Sequence, residues 1–229
     1  MKSSFNAYGR TKREYGTLHI PIWLGIVKRN PVGGTLADDY NIEGVIYPAG
    51  TPINITGKVI KPLVAFKVTA YAAGESADTS STITVVPNEY FGGSMLPKVG
   101  DIIQKVGATF ATTGKAAAVT GVTALTGADA GKYAVTVAKG TIDTLSEGDF
   151  ITFSASDTAG SAKSIAVQPN AYLFHDIWLG NLDVTESDTF ATGAAVMFHP
   201  EGILIDRTPA ADFKELMKAA VPGVLQVEE

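Results

Sequence analysis

The 229-residue chain contains no cysteine. Disulfides and thiolate metal sites are therefore excluded, and stability must come from burial and assembly. No apolar run approaches the roughly 20 residues that span a bilayer as a helix. The opening stretch, MKSSFNAYGRTKREYG, lacks the apolar segment of a secretory leader, so synthesis in the cytoplasm is the expectation. Charged residues are few, 18% against 45% hydrophobic, which excludes a self-repelling disordered chain. Histidine is scarce as well. His19, His175 and His199 form no His-x-His or His-x3-His pair, so no metal site and no cofactor are expected.

Long helical periodicity is also scarce. In its place stand glycine, threonine, alanine and short alternating runs of valine and isoleucine, broken by turn residues every 8 to 12 positions or so. This pattern predicts an all-β protein: a β-sandwich or barrel-like body with an extended N-terminal arm and a short C-terminal helix. The expected division is a basic arm and edge strand over 1–43 and a base β region over 44–81. An inserted or projecting β segment over 82–172 follows, then return strands and the helix over 173–229.

Residues 44–68 read GVIYPAGTPINITGKVIKPLVAFKV. Pro48-Ala49-Gly50 has turn chemistry, and Thr56-Gly57-Lys58 reads as a hairpin tip between β-branched runs. A long strand over Val59 to Tyr71 is expected to follow, with Pro62 marking an edge or bulge. Further strands are expected at Thr82 to Val86, Ile102 to Ile103, Gly121 to Leu125, Tyr133 to Ala138, Gly148 to Phe153 and Ser164 to Val167. Gly114-Lys115 and His199-Pro200-Glu201-Gly202 read as turns, and Asn30 to Gly34 as a loop. Thr208 as N-cap, Pro209 at the first position and Phe213, Leu216, Met217 and Ala220 on one stripe predict a helix over 209–221, stopped by Pro222-Gly223.

Three echoes run through the chain. Val-Gly-Asp-Ile-Ile from Val99 resembles Glu-Gly-Asp-Phe-Ile from Glu147, and Thr84 to Tyr90 resembles Ile165 to Tyr172. Either a β unit is repeated, or turns reuse the same residues. Ile-Trp-Leu-Gly occurs at Ile22 to Gly25 and Ile177 to Gly180, holding both tryptophans. Two like strands that pair or pack on a core are one reading, and an apolar interface patch is the other.

Net charge is −5 but uneven. Through Arg29 there are six bases, Lys2, Arg10, Lys12, Arg13, Lys28 and Arg29, and one acid, Glu14; subtraction from 18 and 23 leaves twelve bases and twenty-two acids beyond. A basic arm on an acidic body suits docking to a partner through Arg10, Lys12, Arg13, Lys28 and Arg29, although solvation of a loose tail gives the same composition. The acidic body argues against nucleic acid as that partner.

No catalytic set emerges. Gly127 to Tyr133 fails as a phosphate loop, because the glycine spacing is short and a strand follows. Tyr133 is better read as a tyrosine corner. Gly93-Ser94-Met95 lacks the second glycine of a nucleophile elbow. The protein is therefore expected to be no enzyme.

The strand, the Pro-Ala-Gly-Thr-Pro-Ile turn and the hairpin within 44–68 resemble the core of tailed-phage capsid decoration and head fibre proteins. That resemblance implies a virion structural protein on the capsid exterior. Its partners would be the major capsid protein and further copies of itself, most often in trimers, with no nucleic acid or membrane. Removal of residues 1–29 is then expected to leave a folded body that no longer binds. The alternative is a receptor- or glycan-binding β module, with Tyr47, Tyr71, Tyr90 and Phe91 available to stack on sugars.

Overall fold

The computed structural model describes residues 23–40, 42, 45–87, 95–173, 177–178, 193–222 and 225–227; for residues 23–33, 46, 178, 193–201, 225 and 227 only the backbone is described. The described residues are mostly β, with one short C-terminal helix among them. It divides into two units: one from both chain ends, up to Pro62 and from Pro169, and one from residues 63–168. Sequence spacing alone places the inserted segment at 82–172.

The unit built from the chain ends is a ring of strands. It uses β1 (Trp23–Leu36), β3 (Pro52–Thr56), β4 (Val59–Pro62), β12 (Ala171–Leu173) and β14 (Gly193–Leu204). They are ordered β1-β4-β3-β12-β14, and β14 returns to pair with β1. Strand β15 (Leu225–Val227) adds parallel to β14, and β2 (Ile46–Tyr47) pairs separately with β13 (Ile177–Trp178). Ile53, Ile60, Tyr172, Leu173 and Ile203 are fully buried. Pro62 and Ala171 both lie opposite Ile53, one on each side. The chain thus leaves this unit and returns to it about 10 Å apart, two strand spacings.

Several local expectations are overturned here. Val59 to Tyr71 is not one strand: it breaks after Pro62 and resumes as β5 (Ala65–Ala72) in the other unit. Asn30 to Gly34 and His199 to Gly202 are strand residues within β1 and β14. Their glycines and prolines are absorbed by register shifts in the ladder, not by turns. Among the described residues the two Ile-Trp-Leu-Gly segments do not pair with each other; Trp23 lies opposite Ile203 and Trp178 opposite Ile46, while the packing of both rings lies outside the described residues. The C-terminal helix α1 is shorter than expected, Lys214–Ala220. Thr208 is not its N-cap: Phe213 holds that position without a side-chain bond, and a 3-10 turn at Ala211–Phe213 intervenes, while the Thr208 Oγ1 accepts the Ala210 N–H at 3.2 Å in the preceding turn. Phe213 and Met217 are buried, as the stripe requires.

The unit of residues 63–168 is a closed six-stranded antiparallel barrel. Its strands are β5, β6 (Ser80–Val86), β7 (Ile102–Lys105), β8 (Gly114–Ala124), β9 (Tyr133–Ala138) and β10 (Phe150–Phe153). The order β8-β7-β10-β5-β6-β9 closes through β8 and β9, and the short β11 (Ala162–Lys163) flanks β8. Burial alternates along β6 as the side-chain period of two demands. A ring this small is filled by its own side chains. Phe66, Val68, Ile83, Val85, Ile103, Ala117, Val119, Val135, Val137 and Ile151 supply them, each at most 2% exposed. Gly114-Lys115 opens β8 and is not a turn, and Ser164 to Val167 is no strand but offers one bridge, Ile165 to Ser154.

The barrel repeats itself. Lys98 to Asp101 and Ser146 to Asp149 form the same turn. The N–H of Asp101 donates to the Lys98 carbonyl at 3.0 Å and that of Asp149 to the Ser146 carbonyl at 3.1 Å. Each Asp carboxylate accepts the first N–H of its turn, at 2.7 Å in both. Gly100 and Gly148 take φ of +98° and +88°, a conformation glycine adopts without steric cost. Each Gly-Asp pair then opposes one valine, Val119 or Val68, as a β-bulge.

The likeness extends to the ladders. Val68 precedes a register shift in β5, and Val119 precedes one in β8. Superposing β5-β6 on β8-β9 through these shifts maps Ile83 onto Val135, and the two are opposite each other in the β6–β9 ladder. Superposing the Gly-Asp turns maps Gln104 onto Thr152, which are likewise opposite each other in the β7–β10 ladder. The barrel therefore has an internal two-fold axis through both pairs. The echo of Val99 and Glu147 is the visible trace of this duplication. The echo of Thr84 and Ile165 is not, since β6 is a barrel strand and Ile165 makes only a bridge.

Candidate functional site

The five basic residues nominated for docking are not brought to one described place. Arg10, Lys12 and Arg13 lie outside the described residues. Lys28 and Arg29 are in β1, with their backbone opposite His199 and Met197. They belong to the β1–β14 ladder, and the other neighbour of β1, β4, pairs with it only at Thr35 and Leu36.

The aromatic set is broken up. Tyr47 is fully buried and donates its hydroxyl to the Tyr40 carbonyl at 2.9 Å, so it cannot stack on a sugar. Burial, with Tyr40 adjacent, pushes its hydroxyl pKa well up. Tyr40 is pushed up to about 12 by burial and by the Asp39 charge. Tyr71 is half-buried on β5 opposite Ile83, and Tyr90 and Phe91 lie outside the described residues.

Charged groups in the barrel brace turns. Lys105 Nζ contacts Asp149 Oδ2 at 2.6 Å and donates to the Thr144 carbonyl at 3.3 Å. Burial raises the Asp149 carboxyl, but the hydrogen bond from Lys105, the Ser146 N–H and the lysine charge outweigh it and hold the pKa below the usual range. Asp143 accepts the Lys115 N–H at 2.9 Å, fixing the start of β8. Asp129 and Lys132 close the turn before β9 at 2.8 Å. Tyr133 opens β9 with Val85 opposite, and its hydroxyl makes no corner bond among the described residues.

Among the described residues no three His, Asp or Glu side chains gather as a metal site. No helix among them is long and apolar enough to cross a membrane. The bracing pair Lys105 and Asp149 escapes a motif search because its members are 44 positions apart. No family model, curated protein or solved structure matches the chain.

Proposed function

We propose that the protein is a non-enzymatic virion structural protein that binds the outer surface of a phage capsid as a decoration or head fibre protein. The observation that carries this reading is the geometry of 46–62. Strand β2 runs into the Pro48-Ala49-Gly50 turn, where Gly50 has φ of +81°, and then into the β3–β4 hairpin around Gly57. That is the strand, turn and hairpin on which the resemblance rests. An all-β scaffold interrupted by a complete barrel, with chain ends of opposite charge balance, suits a component that docks through one part and presents another. The glycan-binding alternative loses Tyr47 to the core.

Co-sedimentation of the purified protein with phage heads that lack it tests the reading. Saturable binding at a fixed ratio to the capsid lattice is expected. Absence of binding by folded protein overturns it.

A further inference from the structure

The barrel's two repeats, β5-β6-β7 and β8-β9-β10, do not stand side by side. Within a repeat only β5–β6 and β8–β9 pair. The other ladders, β6–β9, β5–β10, β7–β8 and β7–β10, all join one repeat to the other. Among the described residues β7 has no partner in its own half, and neither has β10. Each half is therefore an incomplete sheet whose edges are satisfied only by the other half.

We propose that this half-to-half surface also fits a second copy of the chain, and that two chains exchange half-barrels about the link 106–113. Exchange carries everything after the link with the second half, so β12 and β14 of one chain meet β3 and β1 of the other. Every ladder is then re-formed and only the link changes, which makes it a low-cost route to a dimer. The two-fold relation means that each half carries the edges the other needs. What opposes exchange is the closed link. Thr109 N–H donates to Thr112 Oγ1 at 3.1 Å, and Thr112 N–H donates to the Thr109 carbonyl at 3.1 Å. Gly107 packs directly on this turn: a Cβ there would lie 2.5 Å from the Thr112 Cβ. A side chain at 107 therefore cannot be accommodated unless this turn shifts. This inference does not depend on the virion reading.

The test uses the absence of cysteine. Thr82 is opposite Thr136 in the β6–β9 ladder, and neither is fully buried. Lys139 N–H donates to the Thr79 carbonyl in the same register, so the alternation makes 82 and 136 a non-hydrogen-bonded pair, with Cα atoms about 4.5 Å apart. That spacing accepts a disulfide. One full-length chain carries Thr82→Cys and Gly107→Val, and the other Thr136→Cys and Gly107→Val. They are mixed unfolded, refolded at about 1 mM, the scale of an intramolecular contact, and oxidised. The expected product is a dimer by light scattering, with a disulfide joining the two introduced thiols across chains. Thr82→Cys/Thr136→Cys in one chain, closing an internal disulfide, checks the register. Should Gly107→Val prevent folding, the same pair with Gly107 retained is refolded at the same concentration, and a smaller mixed dimer is expected. Folded monomer without the mixed disulfide in both backgrounds overturns the proposal.

Discussion

Gln104 lies directly opposite Thr152 at the centre of the β7–β10 ladder, and both are buried, at 0% and 2% exposure. They are counterparts under the barrel's two-fold relation, yet their polar atoms serve different neighbours. Gln104 Nε2 donates to the Lys163 carbonyl at 3.1 Å, while its Oε1 accepts the Ser154 hydroxyl at 2.5 Å. Thr152 Oγ1 donates to the Val64 carbonyl at 2.5 Å. One side chain holds β11 and the other holds the entry to β5, the two pieces of the unit that break its symmetry.

Gln104→Leu keeps the bulk and removes both bonds. It is expected to cost about 1–3 kcal/mol, since it removes two hydrogen bonds made by a fully buried amide. Hydrogen exchange should accelerate first in β11. Thr152→Val removes a single bond and is expected to cost about 1 kcal/mol. Urea titrations of the two variants that give equal midpoints would refute this ranking.

The paired turns make a second prediction. Gly100→Ala or Gly148→Ala places a Cβ in a left-handed conformation, although nothing else lies within 4 Å of either position. The penalty is therefore conformational, about 1–2 kcal/mol for each. For a domain of this size Tm is expected to fall by roughly 4–8 °C per kcal/mol. Calorimetry should find similar losses for both, because the turns are equivalent.

Truncation of residues 1–29 separates the described ladder from the basic arm. β1 pairs with β14 from Trp23 onward, so this deletion removes Trp23, Gly25, Ile26, Lys28 and Arg29 from the ring. It is expected to unfold the unit built from the chain ends, contrary to the expectation of an intact body. Charge reversal of Arg10, Lys12 and Arg13 is the cleaner probe of docking. It should leave the circular dichroism spectrum unchanged while weakening capsid binding, most of all at low salt.

Much of the architecture is legible in local chemistry. The turn at Pro48 to Gly50, the hairpin tip at Gly57 and the Gly-Asp strand starts each follow from residues a few positions apart. What escapes is set over long separations. Pro62 ends a ladder with Ile53, so a strand that reads as continuous to Tyr71 splits between two units. Gly202 and Gly34 look like turn residues, but β1 and β14 carry them within one ladder. Burial of Tyr47 is invisible too, because an aromatic beside a turn reads equally as a surface platform. The docking arm gained no geometry, since its first three basic residues lie outside the described chain.

Acid titrates the Lys105–Asp149 pair. The Asp149 pKa is depressed in the folded protein, so the unfolded chain binds more protons as pH falls. The stabilisation is complete above the ordinary carboxylate pKa of about 4 and is lost as pH falls through the lower folded value. Asp149→Asn retains an acceptor for the Ser146 N–H but removes the charge. Its urea midpoint should vary less than that of the native protein between about pH 5 and pH 2. Parallel profiles would exclude the pair as a source of the acid response.

At the alkaline end the buried tyrosines act with the opposite sign. Burial pushes Tyr40 and Tyr172 up to about 12, Tyr172 despite a bond from Gln226. The unfolded chain loses these protons first, near pH 10, so stability is expected to decline from there until the folded hydroxyls ionise. Ultraviolet titration should show tyrosine ionisation that continues well above about pH 10. Tyr172→Phe should remove part of the decline.

Asn170 makes the sharpest single-residue prediction. β12 begins at Ala171, and the residue before Asn170 is Pro169, which has no N–H with which to continue a ladder. The Asn170 side chain takes over. Its Oδ1 accepts the Ile55 N–H at 2.9 Å, and its Nδ2 donates to the Ile55 carbonyl at 3.1 Å. One amide side chain thus imitates a strand backbone exactly where the chain re-enters the ring. Asn170→Ala strips both partners from Ile55, itself 8% exposed, and is expected to cost about 1–3 kcal/mol. Asn170→Asp separates the two bonds. It keeps the acceptor for the N–H but sets a carboxylate against the Ile55 carbonyl, so at neutral pH it should be at least as damaging as alanine. Protonation restores a donor, and the Asp variant should regain stability relative to the Ala variant as pH falls below about 4. Urea midpoints for the two variants at pH 7 and pH 3.5 measure the difference, and an unchanged gap would mean that Ile55 does not depend on this amide.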